Sequence, residues 1–256
     1  GTWYIMVRVY SGSGAYDLTV TLNEGGGGTT GWGTGGKYAI IVGISDYDSI
    51  SDLSYCDEDA TDIYNFLNGQ GYECHVYGDQ HPTNYPIYTG DAYESIVRAA
   101  IIELAAHAQP GDTVIFTTSG HGSGDGNGNS FLCMLDCSGS AGCYYDYELQ
   151  SDFSQFAAGV NIMVFVDHCY SGGLGPELLA ASSSIYITTT CTEDGYGWDD
   201  GTHKNGAWTY EFFEKWWVPN PTWYAEQVYD SASATYPHTG GDACMEFDGF
   251  PGNFYI

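Results

Sequence analysis

Two short motifs hold the side chains in this sequence that are best suited to chemistry. His121 lies in the segment Ser-Gly-His-Gly (119–122), and Cys169, 48 residues further on, lies in Asp-His-Cys-Tyr-Ser-Gly-Gly (167–173). A thiol attacks as its thiolate, and a nearby imidazole can take the thiol proton and later protonate a leaving amine. The backbone N–H groups of Gly122 and Cys169 would then form an oxyanion hole. The pair predicts acyl transfer on Cys169, with His121 as general acid and base.

Both motifs directly follow apolar segments that we expect to be neighbouring strands. After Lys37, apolar runs of strand length alternate with helical patterns, which predicts an α/β fold with a mainly parallel sheet flanked by helices on both faces. The predicted strands are 38–44, 72–77, 113–118, 161–166 and 184–189, and the predicted helices are 57–68, 93–107, 207–217 and 223–234. Active sites gather at the carboxyl ends of such strands, so His121 and Cys169 should share one crevice.

The charge of the chain restricts its partners. It has 33 acidic residues against 5 basic ones, a net charge of −28. Nucleic acids and anionic membrane surfaces are bound through clustered Lys and Arg, so neither is expected as a partner. No stretch reaches the ~20 apolar residues that insert across a bilayer. The acidity fits an adaptation for solubility or salt, and it also fits attraction of cationic substrates and divalent cations.

Six segments in order resemble the caspase-like clan of cysteine peptidases, which includes caspases, metacaspases and legumains. They are KYAIIVGISDY, LSYCDEDATDIYNFL, TTSGHG, VFVDHCYSGG, ITTTCTEDG and NGAWTYEFF. The resemblance extends from Lys37 to Ile256, and the His and Cys motifs are its most specific parts. It implies a caspase-like sheet and a cysteine endopeptidase that works through an acyl-enzyme and needs no cofactor for its chemistry.

The resemblance also implies which residues bind the substrate side chain next to the scissile bond, the P1 residue. Caspases hold an aspartate with arginine, but the only arginines here are Arg8 and Arg98. Metacaspases have an acidic pocket for Arg or Lys, and the matching positions here are Asp59, Ser119 and Asp167. A polypeptide substrate with a basic P1 residue is therefore expected. Asp59 could instead be a surface acid of its helix, and Asp167 a structural hydrogen-bond acceptor at a strand end.

Two other functions stay open from the sequence. Legumains also carry SGHG and cleave after Asn, although their cysteine is usually preceded by Glu-Ala and not by Asp-His. Tyr170 replaces a His that is common at this position in metacaspases. A protein of another class, a catalytically silent acidic binding module, could keep the same fold.

Three further features are candidates for regulation. Asp125, Asn127 and Asn129 resemble the start of a calcium loop, although a flexible turn between strands explains them as well; many metacaspases are activated by calcium. Members of the clan often cut their own loops, which makes Lys37 and Lys204 candidate self-cleavage sites. Cys137 and Cys143 bracket a short Ser/Gly segment and could form a disulfide.

The amino-terminal part predicts a separate unit. Residues 1–24 alternate apolar and polar positions around a Ser-Gly turn, which predicts a β-hairpin. This hairpin resembles the end of a bacterial pre-peptidase C-terminal domain, a unit attached to secreted peptidases, so a secreted or cell-surface protein is expected. Residues 25–36 read as a Gly-rich linker, and residues 37–256 as the peptidase domain.

Overall fold

The computed structural model describes residues 31–256. The predicted hairpin, 1–24, and the first part of the predicted linker lie outside the described residues. Residues 31–256 form one compact unit. Within them, no helix has both the length and the apolar character needed to cross a bilayer.

The described residues form an α/β fold around a seven-stranded sheet. In chain order the strands are β1 (Lys37–Gly43), β2 (Glu73–Gly78), β3 (Gly90–Asp91), β4 (Thr113–Ser119), β5 (Gly122–Gly124), β6 (Ser130–Ser138), β7 (Ala141–Tyr145), β8 (Asn161–Asp167), β9 (Ile185–Thr189), β10 (Asp199–Asp200), β11 (Asn205–Gly206) and β12 (Met245–Asp248). The large sheet has the order β12-β9-β8-β4-β1-β2-β3. All its neighbours pair in parallel except β12, which is antiparallel to β9.

Helices cover both faces of this sheet, as predicted. They are α1 (Cys56–Gly69), α2 (Glu94–His107), α3 (Asp146–Phe153), α4 (Gly175–Ala181), α5 (Ala207–Thr209) and α6 (Ala225–Ser233), with a π-helix at Tyr210–Trp217. Side chains along β1 alternate between two buried clusters: Tyr38, Ile40 and Val42 pack with α2, α3 and α4, whereas Ala39 and Ile41 pack with α1, α6 and the π-helix. Burial on both faces explains the continuous apolar runs in the sequence.

Three differences from the sequence prediction concern local structure. The predicted helix 207–217 is only one α-helical turn before it widens into the π-helix. Helices α3 and α4 and the β6–β7 hairpin were not predicted. Residues 31–36, the end of the predicted linker, pack against the domain: Trp32 is buried and stacks on His75, with ring centroids 3.6 Å apart.

Candidate active site

The topology of the sheet brings the His and Cys motifs together. Strands β4 and β8 are parallel neighbours, and their last residues, Ser119 and Asp167, are paired in register. His121 and Cys169 each lie two residues beyond that pair. Both line one pocket of about 100 Å³. The crevice expected from the sequence is therefore present at the carboxyl edge of the sheet.

The surroundings of Cys169 favour the neutral thiol in the free protein. Its Sγ lies 3.8 Å from the carbonyl oxygen of Gly197, and the side chain is only partly exposed. Burial raises the pKa of the Cys169 thiol, and the nearby Asp167 carboxylate raises it further. The thiolate therefore has to be generated by a base at the moment of attack.

One ring nitrogen of His121 is held by a backbone carbonyl, which decides which nitrogen is free to act as that base. Its Nε2 lies 2.8 Å from the backbone carbonyl oxygen of Ser51. A carbonyl oxygen can only accept, so Nε2 carries the hydrogen and Nδ1 is left as the basic nitrogen. The sequence analysis did not find Ser51, because the contact uses a backbone atom that any residue type could supply.

Tyr47 holds the backbone of the His motif. The His121 N–H donates to the Tyr47 hydroxyl at 2.8 Å, and that hydroxyl donates to the Cys133 carbonyl oxygen at 3.3 Å. The Cys133 N–H in turn donates to the His121 carbonyl oxygen at 2.8 Å. The buried phenol thus replaces one of the two direct hydrogen bonds that His121 and Cys133 would exchange in an antiparallel ladder. Sequence reasoning missed this residue as well.

Close contact between the two motifs explains a glycine. A Cβ on Gly122 would lie 2.2 Å from the Cys169 carbonyl oxygen. The His121–Cys133 pair is hydrogen-bonded, so the next pair, Gly122 and Leu132, is not. The Gly122 N–H therefore points away from β6, an orientation that suits the predicted oxyanion hole of Gly122 and Cys169.

His168 connects the two motifs through hydrogen bonds in the protein interior. It is 1% exposed, its Nδ1 lies 2.7 Å from the His121 carbonyl oxygen, and its Nε2 lies 2.7 Å from Thr118 Oγ1. Burial lowers the pKa of His168 to about 3. The ring is therefore neutral at physiological pH, and its role is structural.

Of the three predicted pocket residues, Ser119 and Asp167 line the pocket, and Asp59 lies directly behind Ser119. Asp59 accepts a hydrogen bond from Ser119 Oγ at 2.6 Å and another from the Gly206 N–H at 2.8 Å. Asp167 accepts from the N–H and Oγ1 of Thr209 at 2.9 and 3.0 Å. Asp59 is fully buried, so it is not the surface acid considered as an alternative.

The two carboxyl groups face each other without a basic partner. A Cβ on Gly206 would lie 2.3 Å from one oxygen of Asp167 and 2.9 Å from one of Asp59. Burial raises the pKa of Asp167 to about 6. Burial and repulsion by Asp167 hold the pKa of Asp59 well above its usual range. Among residues 31–256, no Lys or Arg forms an ion pair with either group. Near pH 7 Asp167 is therefore mostly ionised, and no Lys or Arg of residues 31–256 compensates its charge.

The predicted calcium residues lie in a turn between β5 and β6. Asp125 Oδ1 accepts from the Asn127 N–H at 2.7 Å, and Asp125 Oδ2 accepts from Asn129 Nδ2 at 2.7 Å. Hydrogen bonds from Asn129 and Asn127 lower the pKa of Asp125 to about 2. These contacts form a turn between the two strands, which is the alternative explanation for this segment. Calcium binding there stays a prediction.

The two candidate cleavage sites differ in accessibility. Lys37 begins β1, and its Nζ donates to the Gln70 carbonyl oxygen at 3.2 Å, so cutting there would require the strand to open. Lys204 is exposed in the turn between β10 and β11, with φ of 61°. Cys137 and Cys143 face each other as thiols with their sulfurs 3.4 Å apart. Self-cleavage and the disulfide both stay predictions.

Replacing Tyr47 with phenylalanine tests the support of His121. The ring packing would remain, but the His121 N–H and the Cys133 carbonyl would lose their shared partner, which costs about 1–3 kcal/mol when groups are left unpaired. We expect kcat for peptide hydrolysis to fall about 10-fold or more, because a base displaced by less than 1 Å transfers protons poorly, while KM changes little. A rise in KM at constant kcat would contradict this role. Tyr85→Phe, another buried phenol that binds a backbone carbonyl, is the matched control.

Comparison with known proteins agrees with this geometry. The sequence model of the family described as the caspase domain matches residues 36–234. A search of curated proteins found no match. A protein of Geobacter sulfurreducens superposes with a TM-score of 0.64 at 19% identity, covering 86% of this chain and 94% of that one. Caspase-1 of Spodoptera frugiperda superposes with a TM-score of 0.63 at 12% identity, covering 86% and 88%. The chain belongs to the caspase domain family, a family of cysteine peptidases.

Proposed function

We propose that this protein is a cysteine endopeptidase that cleaves polypeptides after Arg or Lys. The observation that supports this specificity is the pair of buried carboxyl groups, Asp59 and Asp167, beside the His121–Cys169 pocket, which has no Lys or Arg partner among residues 31–256. A buried carboxylate without a cation is costly, so a cationic side chain that reaches it gains a strong interaction. The net charge of −28 adds a field that attracts basic segments.

The chemistry that we propose for the two side chains is acyl transfer through Cys169. Nδ1 of His121 takes the thiol proton while Sγ of Cys169 attacks the substrate carbonyl carbon, and the N–H groups of Gly122 and Cys169 hold the resulting oxyanion. The same nitrogen protonates the leaving amine as the C–N bond breaks, which leaves an acyl-enzyme on Sγ. His121 then activates a water molecule that hydrolyses the thioester and restores the thiol.

Two observations weigh against the other functions. An Asn side chain is neutral and would leave the charge of Asp167 unpaired, so legumain-like cleavage fits this pocket less well. A silent binding module would not need a histidine tautomer that leaves Nδ1 basic beside a pocket cysteine. We also propose Lys204 as the self-cleavage site in preference to Lys37, because it lies in an exposed turn.

A set of fluorogenic peptides that differ only in P1 tests the proposal. We expect kcat/KM for Arg or Lys to exceed that for Asn, Asp or Ala by at least about 30-fold, since losing a buried charge pair costs about 2–5 kcal/mol. Each peptide would be measured with and without calcium, which tests activation separately from specificity. Preference for Asn would favour the legumain-like function. No hydrolysis of any peptide, together with no labelling of Cys169 by a peptide electrophile, would favour the silent module.

A further inference from the structure

We propose that Asp46, Asp79 and His81 form a binding site for a zinc ion. The bound ion restricts the motion of the loop between β1 and α1. This site lies outside the pocket of His121 and Cys169 and is separate from the 125–129 turn. The proposal does not depend on the peptidase having the specificity proposed above.

The three residues come together because β1 and β2 are adjacent. Gly43 and Gly78 pair in register at the ends of these parallel strands, so the segments that follow them leave the sheet side by side. His81 Nδ1 lies 3.0 Å from Asp46 Oδ2 and 3.4 Å from Asp79 Oδ1. One donor atom from each residue lies within 4.8 Å of the other two. Ligand atoms around a tetrahedral zinc, with bonds of about 2.0–2.1 Å, are separated by about 3.3 Å.

Asp79 is held in place for this role. Its side chain is fully buried, and Oδ2 accepts backbone N–H groups of Ser45 and Asp46 at 3.4 and 3.2 Å. Oδ1 accepts the His81 N–H at 3.0 Å. A carboxylate oxygen has two lone pairs, so Oδ1, which accepts a single N–H, can still face a cation. Hydrogen bonds of this kind fix the direction of metal-binding carboxylates in known sites.

The charges within the cluster suit a cation between the three groups. The single Nδ1 of His81 faces carboxylate oxygens from two different residues, and one Nδ1–H cannot serve both well. The basic side chains of residues 31–256 do not help: Arg98 binds Glu148 and Asp152, Lys215 binds Glu211, Lys37 binds a carbonyl of the α1 terminus, and Lys204 lines another pocket. A divalent ion would compensate both carboxylates at once.

The donor set selects the class of ion. Calcium takes six to eight oxygen ligands, whereas zinc combines imidazole nitrogen with carboxylate oxygen in four-coordinate sites. The side chains of His81 and Asp46 are 56% and 50% exposed, which leaves the outer side of the site open to a water molecule as fourth ligand. The geometry therefore favours zinc over calcium or magnesium.

A bound ion would act on the loop that supports His121. Asp46 directly precedes Tyr47, whose hydroxyl accepts the His121 N–H, and the same loop continues to Ser51, whose carbonyl accepts from His121 Nε2. Joining Asp46 to the end of β2 reduces the freedom of this loop. Zinc at this site thus stabilises the segment that orients the general base.

Calorimetric titration and thermal unfolding with ZnCl₂ test the site. They use the Cys169→Ala variant, so that zinc cannot bind between the active-site thiol and imidazole. We expect one ion to bind and to raise Tm by several degrees, since saturation at 100 times Kd adds about 2.7 kcal/mol. His81→Gln and Asp46→Asn should each remove the tight binding and the rise in Tm.

Asp48→Asn is the matched control, because Asp48 is exposed in the same loop and loses the same charge. It should keep the zinc response of the parent. The proposal is overturned if the parent does not bind zinc. It is also overturned if His81→Gln binds zinc as tightly as the parent, which would mean that the ion binds to the other thiols. The third contradicting outcome is that Asp48→Asn loses as much zinc affinity as Asp46→Asn. Equal stabilisation by CaCl₂ would also overturn it.

Discussion

Replacement of Cys169 by alanine is expected to lower kcat/KM for peptide hydrolysis by at least about 10⁴-fold, the scale seen when a catalytic nucleophile is removed. The reason is that Cys56, at the start of α1, is the one other described thiol that lines the pocket beside His121, and it is buried. Burial and the charge of nearby Asp59 hold the pKa of Cys56 well above its usual range. Cys56 therefore cannot substitute for Cys169 as a thiolate.

His121→Ala should cause a loss of similar size, because the pKa of Cys169 is raised and the thiol depends on the imidazole for its proton transfer. Cys244→Ala removes a partly exposed thiol outside the pocket and is the matched control, which should keep full activity. Initial rates with an Arg-P1 peptide and an intact-mass test for labelling by a peptide electrophile measure both effects. Activity that survives in Cys169→Ala would mean that the nucleophile lies elsewhere.

The parts of this site that could be predicted from the sequence are those that depend on residue type. Strand β8 is buried on both faces and therefore reads as a continuous apolar run, and the end of that run places Cys169 at the edge of the sheet. Gly122 lies so close to Cys169 that no larger residue fits, and this glycine is visible in the sequence. Asp59 could be found only through the family resemblance, since nothing in its helical pattern distinguishes it from Asp57 or Asp62.

The parts that could not be predicted depend on long-range contacts of backbone atoms. Ser51 contributes a carbonyl oxygen 70 residues before His121, and Tyr47 binds the backbone of His121 and Cys133. Helix α3 has only eight residues, with its buried positions split between Leu149, Phe153 and two acids, so its apolar stripe is too short to recognise. The hairpin of β6 and β7 is irregular in register, which interrupts the alternation that would reveal it.

Replacement of Asp167 by asparagine should remove the preference of the pocket for a basic P1 residue. Asparagine keeps an oxygen that can accept from Thr209 but removes the charge that a basic P1 residue would pair with. We expect kcat/KM for Arg and Lys peptides to fall roughly 10²–10³-fold, which corresponds to the 2–5 kcal/mol of a buried charge pair. The same charge is lost when the carboxylate is protonated, so activity on Arg peptides in the parent should decline as pH falls through about 6, the pKa of Asp167.

A second readout separates this effect from general damage. Asp167 raises the pKa of Cys169, so removing its charge lowers that pKa and increases the thiolate fraction at a given pH. Alkylation of Cys169 by iodoacetamide, which is small and uncharged, should therefore become faster in Asp167→Asn while hydrolysis of Arg peptides becomes slower. A misfolded pocket would also expose the thiol and speed its alkylation, so Asp167→Asn must in addition keep the Tm of the parent. Asp152→Asn, a buried acid that instead binds Arg98, would show the effect of losing a charge elsewhere.

Asp59→Asn should lose activity on Arg peptides and gain stability. The pKa of Asp59 is raised in the folded state, so folding favours the protonated carboxyl. The folded protein gains the full stability from this proton below the unfolded-state pKa. That stability is lost as pH rises from the unfolded-state pKa toward the folded-state pKa. Neutral asparagine avoids that loss, and we expect the free energy of unfolding at pH 7 to increase. Thermal unfolding at pH 4 and pH 7 measures it, with the larger gain at pH 7. A variant that is less stable at pH 7 than the parent would show that the Asp59 carboxylate stabilises the fold. It would then not be an unpaired group that is available to bind a basic substrate.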